Sequence, residues 1–149
     1  MKIVFPNIRL TLLDSVKKKT VFLEHIVSIL GLKDVDVVWA RSEDFAKERR
    51  ESFDVAACRA LAPLNIAAEL CLPFVKVGGV LLAMKGKEAA AEAAISMSAV
   101  EALGGKLRVI KDVGLSQDGP ERSVVVIDKV TKTPEKFPRR PGMAKKHPI

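Results

Sequence analysis

Five polar residues of this chain stand where apolar runs stop, and their spacing is that of strand ends. Asp14 closes Leu10-Thr11-Leu12-Leu13, Ser42 and Glu43 follow Val35-Asp36-Val37-Val38-Trp39-Ala40, Arg59 follows Phe53-Asp54-Val55-Ala56-Ala57-Cys58, and Lys85 ends Val80-Leu81-Leu82-Ala83-Met84. A continuous apolar run reads as a strand buried on both faces of a parallel sheet. An acid at its carboxyl end lies in the crevice where open α/β sheets bind ligands, placed to accept hydrogen bonds from a ribose. Asp is also a preferred helix N-cap, so capping of the next helix is the competing role for Asp14. Right-handed crossovers bring such strand ends to one edge, and acids and bases gathered there favour a ligand site over ordinary loop polarity. No nucleophile–base pair emerges: Ser15 has no His near it, Cys58 lies inside a strand, and neither HExxH nor a P-loop occurs. A reaction whose reactivity resides in a bound cofactor fits better than hydrolysis, and no catalytic residue is assigned.

These residues need an alternating α/β frame to hold them. A strand over residues 9–15 runs into a helix over 16–30, with Phe22, Leu23, Ile26, Val27 and Leu30 on one face and Gly31 as its stop. Lys17, Lys18 and Lys19 fall in its first turn, where the helix dipole disfavours cations. A second strand (35–40) and a short charged helix (45–50) follow, then a third strand (53–58) and a helix opened by Pro63 and running to about 72. Gly78-Gly79 reads as a turn before a fourth strand (80–85), and an alanine-rich helix spans 88–103. Strands over 106–113 and 122–130 are joined by loop 114–121, which is too short for a helical crossover, so this last pair should be antiparallel.

At 149 residues and 48% hydrophobic content the chain supports an ordinary core. No stretch approaches the roughly 18 apolar residues of a membrane span. Cys58 and Cys71 sit in apolar segments without metal-ligand spacing, and His25 and His147 add no further ligands. The reading is two reduced thiols in a cytoplasmic protein that holds no metal. A net charge of +7 and a pI of about 9.6 point to a polyanionic partner. Much of the excess lies in residues 131–149, where six Lys and Arg face Glu135 alone. Pro134, Pro138, Pro141 and Pro148 suit a stiff, extended tail, so the chain reads as an α/β domain over 1–130 with a basic tail over 131–149.

The strand order, the Leu-Leu-Asp-Ser turn, Cys58-Arg59-Ala60-Leu61-Ala62, Glu69-Leu70-Cys71-Leu72-Pro73 and Ala83-Met84-Lys85-Gly86 carry a resemblance. So does the tail, Thr133-Pro134-Glu135-Lys136-Phe137-Pro138-Arg139-Arg140-Pro141-Gly142 followed by Lys145-Lys146 and Pro148-Ile149. Together they resemble the ribosomal RNA small subunit methyltransferase G family, also called glucose-inhibited division protein B, over nearly the whole chain. That resemblance implies a Rossmann-like class I methyltransferase sheet, mostly parallel with a terminal antiparallel hairpin. It also implies S-adenosylmethionine as cofactor and methylation of guanine N7 in 16S rRNA. Asp14, Ser42, Glu43 and Arg59 then match cofactor contacts, while Lys85, Arg122, Arg139, Arg140, Lys145 and Lys146 match basic positions suited to rRNA phosphates. Members of the family have a first strand and a glycine-rich loop before the region matched here. Met1-Lys2-Ile3-Val4-Phe5-Pro6 resembles the helix after that loop, and no Gly precedes Gly31. The expectation is therefore a truncated form lacking the strand that lies between those of Asp14 and Cys58, with exposed sheet edges open to pairing with another chain. The alternatives are a non-catalytic RNA-binding module of the same descent and a nicotinamide-dependent Rossmann enzyme, the latter disfavoured by the terminal hairpin and basic tail.

Overall fold

The computed structural model describes residues 1–114 and 121–149. Its elements are β1 (Leu10–Asp14), α1 (Lys17–Ile29), β2 (Val35–Trp39), α2 (Ser42–Glu48), β3 (Phe53–Arg59), α3 (Leu64–Cys71), a 3-10 turn (Leu72–Phe74), β4 (Val75–Lys85), α4 (Ala89–Ala102), β5 (Gly105–Asp112), β6 (Ser123–Lys129) and α5 (Met143–Lys146). Most of the expected loop 114–121 lies outside the described residues. The chain divides into two compact units, Met1–Phe45 and Ala46–Ile149, so residues 131–149 belong to the second.

In the first unit β1 and β2 pair in parallel, Leu10 opposite Val35 through Asp14 opposite Trp39. Residues 1–5 make a single turn, closed by Phe5 N–H donating to the Met1 carbonyl at 2.8 Å. Lys2 Nζ reaches back to the carbonyls of Pro6 and Ile8, at 2.7 and 2.5 Å, which satisfies a nearly buried ammonium. Leu30 and Gly31 end α1 as expected, Gly31 with φ +58.

The second unit holds a four-stranded sheet in the order β3-β4-β6-β5. β3 and β4 are parallel, while β6 runs antiparallel to both β4 and β5, which is the expected terminal hairpin. Its core joins Leu64, Ala68 and Leu72 to Leu81 and Ala83 of β4, Val100 and Leu103 at the end of α4, and Val125 and Ile127 of β6. The face of α4 that packs inward is mostly small, Ala89, Ala93, Ser96 and Ala99 beside Val100, while Ile95 points to solvent at 82% exposure. Alanines let the helix lie close to its neighbours, so the largest apolar side chain is not the buried one.

Two expected boundaries move. The helix placed at 45–50 starts at Ser42, because Glu43 and Asp44 in its first turn complement the N-terminal end of the helix dipole. Gly78-Gly79 is not a turn before β4 but part of it. Phe53 pairs with Val75 and Val55 with Val80, so the glycines lie in a bulge that inserts extra residues against β3. Gly78 takes φ +89, and a Cβ on Gly79 would come within 2.5 Å of the Asp54 carbonyl oxygen. Among the described residues β1 pairs only with β2 and β3 only with β4, leaving each a free edge.

Candidate functional site

The first unit carries the acidic residues. Asp14 and Trp39 face each other in register at the carboxyl edge of β1 and β2. Asp14 Oδ1 accepts the Val16 N–H at 2.8 Å and Oδ2 lies 3.5 Å from Lys19 Nζ. Asp14 therefore steadies the entry to α1 without being its N-cap, which is Val16. A carboxylate has about four acceptor directions, so these contacts leave room for hydroxyl donors. Ser42 and Glu43 open α2 just beyond β2, half-buried. The Trp39 indole N–H donates to the Ser15 carbonyl at 3.1 Å, and Lys17 Nζ stands 4.9 Å from the ring centroid. In the sequence Trp39 is a strand residue like its neighbours; its one signal is that the chain's single Trp falls at a strand end.

The second unit carries the basic residues. Arg59 ends β3 opposite Met84, so Arg59 and Lys85 share the carboxyl edge of β3 and β4. Arg59 is exposed, and Ala60 after it sits at φ 51, a left-handed conformation that costs a non-glycine residue about 1 kcal/mol or more. Lys85 Nζ donates to the Ala62 carbonyl at 2.7 Å and to Glu92 Oε1 at 2.8 Å. The same Glu92 oxygen accepts the Leu64 N–H at 2.6 Å, so α4 supplies the cap for α3. Lys85 thus ties down the loop that follows Arg59, with only 12% of its side chain exposed. Cys58 and Cys71 are both free thiols and share a hydrogen bond. That bond, aided by the Lys85 charge against burial, lowers the Cys58 pKa; the same bond and burial push Cys71 well above the usual thiol range.

The expected basic tail is docked along its first half. Arg139 forms a bidentate pair with Glu69, Nε to Oε1 at 2.9 Å and Nη2 to Oε2 at 2.6 Å, and its N–H also donates to Oε1 at 3.0 Å. This bond raises the Arg139 pKa further. The Arg50 guanidinium donates to the Phe137 carbonyl at 2.7 Å and the Pro134 carbonyl at 3.0 Å. Lys129 Nζ, buried, donates to the Leu72 carbonyl at 2.7 Å and Thr133 Oγ1 at 2.6 Å, with Glu51 at 3.4 Å. Arg122, Arg140, Lys145 and Lys146 are exposed. The six basic positions therefore divide into two that are engaged inside the fold, Lys85 and Arg139, and four that face solvent. Sequence reasoning missed Glu69, Arg50, Glu51 and Lys129; a lone acid in the apolar run Ile66-Ala67-Ala68-Glu69-Leu70 was the one visible signal. An open groove of about 390 Å³ lies at the opposite end of β4 from Lys85, lined in part by Gly78, Gly79, Arg108 and Asp128.

The mostly parallel α/β sheets, the terminal antiparallel hairpin and polar residues on the carboxyl edges define a Rossmann-like fold of the class I methyltransferase kind. Solved structures agree on the fold. An rRNA methylase from Streptococcus thermophilus matches with a TM-score of 0.57 at 18% identity, covering 81% of this chain and 73% of that one. The cyclase SpnF matches with a TM-score of 0.66 at 14% identity, covering 87% and 70%. Likeness at this level shows architecture alone, since one fold hosts several chemistries. The family model described as rRNA small subunit methyltransferase G matches residues 1–125, and the chain belongs to that family. The ribosomal RNA small subunit methyltransferase G of Brevibacillus brevis is 41% identical over the whole of this chain. The chain spans 63% of the length of that relative.

Proposed function

We propose that this protein is an S-adenosylmethionine-dependent methyltransferase acting on guanine N7 of 16S rRNA in the cytoplasm. The observation that carries the reading is the family match over residues 1–125, with the polar strand ends of both units on carboxyl edges. The donor set suits the cofactor. Within the first unit Asp14 has acceptor capacity for ribose hydroxyls, and Ser42 and Glu43 stand at the next strand end for the adenine; Arg59, an exposed cation of the second unit, enters on the family resemblance alone. The cofactor, when bound, supplies an electrophilic methyl group on its sulfonium. Guanine N7 offers a free lone pair, so this chain's work is to position the base and exclude water, with no general base required. Arg122, Arg140, Lys145 and Lys146 supply phosphate contacts, whose strength must fall with salt. Lys85 and Arg139 act through the scaffold, one holding the loop after Arg59 and the other holding the tail.

The free edges of β1 and β3 favour a second reading, a non-catalytic RNA-binding module that pairs with another chain through those edges. Calorimetry with S-adenosylhomocysteine, alongside tritiated methyl transfer to small-subunit rRNA, separates the two. The 149-residue chain and a form extended to the length of its relatives are both assayed. Methyl transfer at guanine N7 that is lost in Asp14→Ala is the expected result. Salt-dependent RNA binding with no cofactor heat and no transfer in either form establishes the second reading instead.

A further inference from the structure

The geometry points to a nucleobase-stacking platform at Trp39, with Lys17 over its ring and Lys18 next in α1, as a single-stranded RNA contact of the first unit. Trp39 is 58% exposed at the carboxyl end of β2. A large apolar ring there is neither buried nor loose, because its N–H is fixed on the Ser15 carbonyl at 3.1 Å. Lys17 stands over the ring at 4.9 Å, an arrangement that adds cation–π attraction and keeps positive charge beside the aromatic surface. The helix that follows opens on Lys17-Lys18-Lys19 with no acid in its first turn, although the dipole disfavours cations at that end. Lys19 is offset by Asp14 at 3.5 Å, which leaves Lys17 as the cation over the ring and Lys18, exposed, next to it in the chain. A cationic rim around a fixed aromatic face is the combination with which proteins hold single-stranded nucleic acid: the base stacks on the ring and the flanking phosphates meet the ammonium groups. Every nucleotide of a single strand supplies both a phosphate for the lysines and a π-face for the indole.

The inference takes only the nature of the polyanion from the proposed function, and its test needs neither cofactor nor turnover. Trp39 is the chain's one Trp and Tyr is absent, so intrinsic emission reports this position alone. Titrating the unmodified chain with single-stranded oligoadenylate should quench that emission saturably. Inorganic polyphosphate, a polyanion without bases, should displace labelled RNA without quenching. By anisotropy of the labelled RNA, Trp39→Leu should bind about tenfold more weakly at unchanged salt dependence. Lys17→Met with Lys18→Met should lower the slope of log affinity against log salt by about 1.4 while leaving the quenching amplitude intact. Equal quenching by polyphosphate overturns the proposal, as does RNA binding with no quenching of the unmodified chain. So does loss of the RNA-dependent quench on adding S-adenosylhomocysteine, which would assign Trp39 to the cofactor. Absence of methyl transfer leaves every one of these outcomes readable, so the two readings fail separately.

Discussion

Arg139 and Lys129 show how this chain uses charge inside a domain whose net charge is high. Glu69 is 1% exposed and would be an uncompensated buried carboxylate without Arg139, whose guanidinium meets both of its oxygens. Removing Arg139 strands that buried carboxylate, so Arg139→Ala should destabilise the fold by about 3 kcal/mol in urea unfolding. Glu69→Gln should cost less, because its amide oxygen can still accept the Arg139 N–H. Lys129 is held by carbonyl, hydroxyl and carboxylate oxygens, yet desolvation dominates and lowers its pKa. The folded chain therefore releases this proton at a lower pH than the unfolded chain does. Between those two values the unfolded state binds more protons, so raising the pH favours folding through this group. Measured from neutral pH to about 10.4, the ordinary lysine value, the stability of the parent relative to Lys129→Met should rise and then level off. A difference that stays flat or falls would contradict the burial cost assigned to Lys129.

Among the elements, β4 departs furthest from its sequence pattern. A Gly-Gly pair before an apolar run is ordinary turn chemistry. Here Val75–Lys85 is one strand, and the glycines let it bulge past Asp54 without losing its pairing to β3. Gly79→Ala would place a methyl 2.5 Å from a backbone oxygen and 2.8 Å from Val75 Cγ1. The strand must then shift, and the expected cost is about 1–3 kcal/mol, read as a lowered urea midpoint with an unchanged slope. β6 shows the opposite case. Its alternation of buried and half-buried positions places Ser123, Val125, Ile127 and Lys129 on one buried face, which is why Lys129 needs internal acceptors at all.

At the scale of the whole molecule, residues 131–149 form part of the second unit. Thr133, Phe137 and Ala144 are buried, Arg50 gathers the carbonyls of Pro134 and Phe137, and Asn65 Nδ2 donates to the Ile149 carbonyl at 3.2 Å. Limited proteolysis of the free chain should therefore spare the Lys and Arg bonds between 129 and 140, even though Lys132 and Lys136 are exposed. Arg50→Ala should release that protection. Rapid cleavage at Lys132 and Lys136 in the parent would show that the tail is not docked. Under the proposed function, the four exposed cations Arg122, Arg140, Lys145 and Lys146 are positions of the second unit from which RNA affinity should be lost on neutralisation. Lys85→Met should act mainly on stability, because it removes the tie to Ala62 and Glu92.

The sequence by itself determined the alternation of strands and helices, the antiparallel end of the sheet, the family, and which polar residues close the strands. All of these follow from local periodicity, turn chemistry and short motifs, which a linear chain displays. Only the tertiary structure decided which charges are available. Arg139 and Arg140 are neighbours of the same type, yet one meets a carboxylate 70 positions away and the other faces solvent. Nothing in composition separates them, since burial is set by partners distant in sequence. Asp14 shows the same limit at the first strand: its place at the strand end was legible, while the sharing of its oxygens between Val16 and Lys19 depended on how α1 enters the fold.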